Sequence, residues 1–224
     1  VELGFSYIKS IVNWILDVLF PESCIGCHKK GLILCPNCIL TIRRAERETS
    51  SGIIAAYDYR DPLIKRVIWN LKYYHYRHLG QKLGEMLYEA LIEEVADMRI
   101  LTKGQPIYII PVPLSRTRRK MRGYNQAEII ARGFCEYGEK GVFELQKNII
   151  VKKVDTLPQA RITNRTTRLR NIHNAFEITN PNLIKGKNII IIDDVTTTGG
   201  TITEIIKLLK NSGAKKVIGF AVAH

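Results

Sequence analysis

The stretch Ile189-Ile190-Ile191-Ile192-Asp193-Asp194-Val195-Thr196-Thr197-Thr198-Gly199-Gly200-Thr201 decides the fold of this 224-residue chain. Four consecutive isoleucines predict a strand buried on both faces, as in a parallel sheet. Two carboxylates end the run. Small hydroxyl and glycine residues follow, before a helix expected over Gly200–Asn211 that Gly213 closes. Backbone N–H groups at such a helix start point outward together and hold a phosphate. Gly199 and Gly200 let the main chain come close to the anion, and Thr197, Thr198 and Thr201 add hydroxyl donors. Asp193 and Asp194 are out of place beside an anion unless they face something else. Adjacent carboxylates fit a ribose diol, accepting from its two hydroxyls. The segment has no lysine, so it is not a nucleotide-hydrolase P-loop, and Gly-x-Gly-x-x-Gly does not fit it either.

Outward from this segment, strands alternate with helices. Ile53–Tyr59 is expected to be a strand, Asp61-Pro62 turns into a helix reaching Leu71, and Leu79–Ala96 is a second helix. Ile107–Ile110 is a short strand ended by Pro111-Val112-Pro113. A helix over Asn125–Tyr137 and a strand over Ile149–Lys153 come next, then an Arg-rich loop from Leu157 to Asn174. Val217–Val222 is the last strand. The alternation implies an α/β domain around a parallel sheet, with ligands at the carboxyl ends of its strands.

The chain has five cysteines, and four of them form Cys24-x2-Cys27-x7-Cys35-x2-Cys38. Two such hooks place four thiolates around one tetrahedral ion, and Zn²⁺ is the usual occupant. A site with four cysteine ligands has no open position, so it reads as structural, replacing a core too small to form in so short a module. Gly26 and Pro36-Asn37 supply the tight turns. Redox chemistry of a Cys-x-x-Cys pair is the rival reading. His28 is read as solvent-exposed rather than a ligand, and Cys135 as a core filler. Residues 1–20 place Phe5, Ile8, Val12, Ile15 and Leu19 at helical spacing, which predicts an amphipathic helix packing on the protein body, a partner or a membrane. Lys9, Asn13 and Asp17 interrupt this stretch, so it reads as neither a membrane span nor a secretory signal. The expected organisation is a helix over 1–20, a zinc-binding module over 21–48 and an α/β domain over 49–224, with Arg43–Gly52 as the charged, Ser-rich join.

Composition is that of a globular protein, and the formal charge is +13. A surplus of that size points to a polyanionic partner. Arg116, Arg118, Arg119, Lys120 and Arg122 crowd one basic loop ahead of Gly123-Tyr124-Asn125-Gln126. Arg161, Arg165, Arg168 and Arg170 crowd another. Arginine outnumbers lysine in these clusters, and its planar fork suits phosphate oxygens, so both clusters are read as contacts for the ligand or for nucleic acid.

The Asp193–Thr201 segment resembles the signature of type I phosphoribosyltransferases. That resemblance implies a ligand, 5-phosphoribosyl-1-pyrophosphate, with Asp193 and Asp194 on the ribose 2′ and 3′ hydroxyls and Thr196–Thr201 around the 5′-phosphate. It also implies that Pro111-Val112-Pro113-Leu114-Ser115-Arg116 helps bind pyrophosphate with Mg²⁺. Purine-salvage members carry an acid where this chain has Thr197, and a threonine cannot take up a base proton near neutral pH. The order of modules extends the likeness: a double Cys-x-x-Cys, then Pro-Val-Pro-Leu-Ser, Arg-Gly-Tyr-Asn-Gln-Ala-Glu, Arg168-Leu169-Arg170-Asn171 and the Asp-Asp loop. It resembles the ComF family of competence proteins, of the ComFC type, over nearly the whole chain. The resemblance implies natural transformation in the cytoplasm, and the charge and arginine clusters then place single-stranded DNA at Arg118, Arg119, Arg122, Arg161, Arg165, Arg168 and Arg170, with Tyr124 beside them to stack a base. A DNA-uptake helicase and recombination proteins are the implied partners. A metabolic phosphoribosyltransferase and a non-catalytic ligand sensor remain the two alternatives.

Overall fold

A computed structural model describes residues 22–46, 52–74, 76–153 and 175–224. The helix expected over residues 1–20 and the cluster Arg161, Arg165, Arg168 and Arg170 lie outside the described residues. The chain divides into two compact units between Ile42 and Arg43. The backbone beyond that break belongs to the larger unit: Arg44 bridges to Tyr57, and the Ala45 N–H donates to the Ala56 carbonyl at 3.2 Å.

In the larger unit, strands β1 (Ile53–Tyr57), β2 (Ile107–Pro111), β3 (Phe143–Leu145), β6 (Asn188–Val195) and β7 (Lys216–Ala223) form one sheet in the order β1-β7-β6-β2-β3. Every pairing in it is parallel. The expected strand at Ile149–Lys153 forms as β4 (Ile150–Lys152), but it pairs antiparallel with β5 (Phe176–Ile178) in a separate ribbon. Its short alternating pattern suits a surface ribbon better than a strand buried on both faces. β6 runs past the four isoleucines through Asp193 and Asp194 to Val195, because Asp193 and Val195 still pair with Ala221 and Ala223 of β7.

Helices cover both faces. α2 (Pro62–Tyr73) is N-capped by the Asp61 carboxylate, which accepts from the Leu63 and Ile64 N–H groups. It follows α1 (Pro36–Leu40) of the smaller unit in chain order. The second predicted helix is in fact two, α3 (Arg77–Ala90) and α4 (Ile92–Thr102), which join at Leu91. α5 (Arg116–Arg122) and α6 (Gln126–Tyr137) follow β2, and α7 (Gly200–Asn211) joins β6 to β7. Successive strand residues face opposite layers. Ile189 and Ile191 therefore join Ile202, Ile205, Ile206 and Leu209 of α7 in one core. On β7, Gly219 faces Ile202 of α7, and the next residue, Phe220, meets Phe134 of α6 at 6.2 Å between centroids.

α3 and α6 pack unusually close. A methyl group added at Gly84 would run into the Ile130 carbonyl and the Phe134 amide, and one added at Gly133 would meet the Gln81 backbone. Both obstacles are backbone, so no side chain can swing aside. Gly133→Ala is expected to lower stability by about 1–3 kcal/mol, the usual cost of overpacking. Chemical denaturation followed by far-UV circular dichroism checks this. An unchanged midpoint would mean that the two helices separate freely.

Candidate functional site

The chain leaves the carboxyl ends of two neighbouring strands in opposite directions. From β2 it travels outward to β3, and from β6 it travels the other way to β7. A crevice must open where the two connections diverge. It is a cleft of about 220 Å³. Ser115, Arg118, Arg122, Asn125 and Gln126 line it from the β2 side, Asp193, Asp194, Val195, Thr197 and Thr201 from the β6 side.

On the β6 side, each carboxylate is steadied by the next residue. Asp193 Oδ1 accepts from the Asp194 N–H at 2.8 Å, and Asp194 Oδ1 accepts from the Val195 N–H at 2.7 Å. Asp194 Oδ2 is held by Lys72 Nζ of α2 at 2.9 Å, with only 16% and 13% of the two side chains exposed. Burial, and then the neighbouring Asp194 carboxylate, push the Asp193 carboxyl far above the ordinary range, while Lys72 pulls it partly back.

The loop that follows turns from β6 into α7. Gly199 takes φ +72° as N-cap of α7 and offers no side chain to cap the first turn, so the positive end of the helix dipole lies at this turn. A side chain at Gly199 would also collide with Ile53. The Thr197 carbonyl accepts from His224 Nε2 at 2.8 Å, which anchors the loop to the chain's last residue. Thr196 departs from the sequence expectation. Its N–H donates to the Ala223 carbonyl at 2.9 Å and the residue is buried, so this amide extends the sheet instead of facing a phosphate. Thr198, Gly199 and Gly200 form the turn into α7 and are not among the residues lining the cleft.

On the β2 side, the basic segment is not a loop but the seven-residue helix α5, N-capped by Ser115, whose Oγ accepts from the Arg118 N–H at 3.4 Å. Gly123 ends it at φ +74°. Helical spacing sorts its cations. Arg118 and Arg122, four apart, turn into the cleft, while Arg116 and Arg119 are exposed outside it. Arg116 was expected at the ligand, and Arg118 stands there instead. Tyr124 is a second correction. It is 7% exposed, its hydroxyl donates to the Leu71 carbonyl, and Arg77 lies 5.0 Å over its ring, so it packs helices together and presents no free face to a base.

Sequence reasoning missed several lining residues. Lys72 reads as an ordinary helical lysine, and its acidic partner lies far along the chain. Lys152 and Phe176 come from the ribbon β4–β5. Asn125 and Gln126 were seen only as the start of a helix. Asn125 Nδ2 donates to the Val112 carbonyl at 3.0 Å, and Arg122 donates to Gln126 Oε1 at 3.0 Å. Those bonds fix both amides and leave Asn125 Oδ1 and Gln126 Nε2 buried without a protein partner.

The smaller unit gathers its four sulfurs. The ligand atoms of Cys24, Cys27, Cys35 and Cys38 all lie within 4.8 Å of one another, and Cys27 and Cys35 are 3.7 Å apart. Zn–S bonds near 2.3 Å in a tetrahedron put sulfurs about 3.8 Å apart, so the cluster fits such an ion. Burial opposes ionisation of Cys24, but the N–H groups of Cys27, Cys35 and Gly26 outweigh it and lower its thiol to about 6. His28 is exposed, and it, not Gly26, takes the left-handed turn at φ 61°. Cys135 in α6 has its thiol pushed up to about 12, mainly by burial, which suits a packing role.

A family model for the phosphoribosyl transferase domain matches residues 86–224. DNA utilization protein YhgH of Escherichia coli O157:H7 is 30% identical over 165 residues, which is 74% of this chain and 68% of that protein. Competence protein F of Haemophilus influenzae is 29% identical over 191 residues, 85% of this chain and 78% of that one. Adenine phosphoribosyltransferase of Mycoplasmopsis agalactiae is 43% identical over 91 residues, 39% of this chain and 52% of the enzyme. With its parallel sheet and the acid pair at the end of β6, the chain belongs to the phosphoribosyl transferase domain family, in the ComF group that competence protein F and DNA utilization protein YhgH represent.

Proposed function

We propose that the protein binds 5-phosphoribosyl-1-pyrophosphate in the cleft between β2 and β6 and handles single-stranded DNA in the cytoplasm during DNA uptake. One observation carries the first half of this reading. A pair of adjacent carboxylates, the first turn of α7 at Thr201 and two arginines line one crevice. A diol would face Asp193 and Asp194, a 5′-phosphate the start of α7, and a diphosphate Ser115, Arg118 and Arg122. The two unpartnered amide atoms of Asn125 and Gln126 add a donor and an acceptor to that wall. The DNA half rests on the names of the relatives, on the +13 charge and on the exposed cations of α5. A DNA-uptake helicase and recombination proteins are the partners such a role requires. No helix among the described residues is long and apolar enough to cross a membrane.

Mg²⁺ takes oxygen ligands and is usually held by one or two carboxylates together with substrate phosphates. Asp193 and Asp194 are the carboxylates among the lining residues, so a Mg²⁺ ion would arrive with the diphosphate and meet this acid pair. Its contribution would be to neutralise phosphate charge. We also assign Zn²⁺ to the four cysteines as a structural ion. Purified protein is expected to carry one equivalent by elemental analysis and to lose the fold of the smaller unit on chelation. Less than about half an equivalent after gentle purification, or a Cys24–Cys27 disulfide, would count against it.

Asp193→Asn with Asp194→Asn is expected to weaken phosphoribosyl pyrophosphate binding by about 2–5 kcal/mol, roughly a hundredfold or more at mid-range. Calorimetry on variants with intact circular dichroism decides. Unchanged affinity would mean that the ribose is read elsewhere. Pyrophosphate release in the presence of amine acceptors separates a transferase from a binding protein. Thr197 argues against acceptors that need a general base at that position.

A further inference from the structure

Among the described residues, exposed aromatic rings are concentrated on α2 and just beyond it. Trp69, Tyr73, Tyr74 and Tyr76 are 48–65% exposed, and they are four of the five strongly exposed aromatic residues among the described residues. Trp69 and Tyr73 lie one helical turn apart on the outward side of α2, opposite the buried stripe Ile64, Val67, Ile68 and Leu71. Their ring centroids are 4.8 Å apart and the planes are tilted by 49°. The ridge adjoins the cleft. Lys72, next to Tyr73, lines the cleft, and so does Arg122, whose guanidinium lies 5.4 Å over the Tyr73 ring. Exposed Lys65, Arg66, Arg77 and His78 flank the rings.

From this arrangement we propose that Trp69 and Tyr73 form a base-stacking platform for single-stranded nucleic acid, with the phosphates led past Arg122 and Arg118 at the cleft mouth. The proposal rests on the DNA-handling reading above and supplies the aromatic surface that buried Tyr124 cannot. Every base has a face to stack, so aromatic residues beside a basic track bind single strands with little sequence preference. A lipid surface would call for aliphatic residues inserting among the rings, whereas the flanking residues here are cationic. A protein partner would not need the guanidinium that joins the rings to the phosphate cleft.

The probe is an oligo-dT of about 15 nucleotides, within the range of a single binding surface. The chain has two tryptophans, Trp14 and Trp69, so Trp14→Phe leaves Trp69 as sole reporter. Quenching of Trp69 emission on titration with the oligonucleotide is expected. Trp69→Ala/Tyr73→Ala should weaken binding about five- to a hundredfold for each base that loses its stack, while Trp69→Phe retains most of it. The slope of log affinity against log salt should stay unchanged, because stacking releases no counterions. If the wild type binds with a steep salt dependence and the double variant binds equally well, the platform is wrong and the DNA reading stands. If the wild type shows no affinity at low salt, the DNA reading falls and the platform with it. If the double variant alters only self-association in sedimentation or only binding to anionic vesicles, the rings serve a second copy or a lipid, and the proposal is overturned.

Discussion

Everything at the candidate site follows from one topological constraint. β2 and β6 are hydrogen-bonded neighbours, yet the chain departs from their carboxyl ends toward opposite edges of the sheet. No connection can cover the gap between them. The backbone just beyond each strand must therefore find polar partners of its own. On one side it starts α5 with Ser115 as cap, and on the other it starts α7 with a glycine that caps nothing. The second helix start carries no side-chain cap, and the positive end of its dipole favours an anion.

The close approach of α3 and α6 serves that crevice. Asn125 and Gln126, at the start of α6, contribute to the cleft wall, and the residues of α6 below them press against Gly84 and the Gln81 backbone. Interiors packed this densely do not slide by fractions of an ångström at low cost. The wall residues are thereby held where the sheet needs them. Lys72 reaches the acid pair from α2, whose placement is set by its buried stripe and by the Asp61 cap. One cation next to two adjacent carboxylates relieves a repulsion that burial would otherwise make costly.

How far was this legible beforehand? The parallel α/β fold could be read from Ile189–Thr201 because a fully apolar strand followed by a glycine turn has few alternatives. The four-cysteine cluster could be read from spacing alone. The route of the Ile149–Lys153 strand could not, since three ribbon residues carry too little periodicity to say which sheet they join. Arginine-rich Arg116–Arg122 looked like a loop because its charge hid its helix propensity, and the choice of Arg118 and Arg122 over Arg116 and Arg119 depends on the helical turn. Tyr124 looked available because nothing local marks a tyrosine whose hydroxyl will meet a carbonyl from α2. Lys72 was missed for the same reason: its partnership is long-range, and local pattern carries no trace of it.

The mixture of signs in the cleft also bears on selectivity. A surface carrying +13 overall could attract any polyanion, and inorganic polyphosphate or a nucleotide triphosphate tail would be drawn to Arg118 and Arg122. The acid pair, where Lys72 holds Asp194, would make that indiscriminate attraction unfavourable wherever a phosphate met a carboxylate at close range. A ligand satisfies both sides only if it presents hydroxyl donors to the acids while its phosphates reach the arginines and the α7 start. On the proposed reading, the acid pair would discriminate among anions as well as contact the ligand.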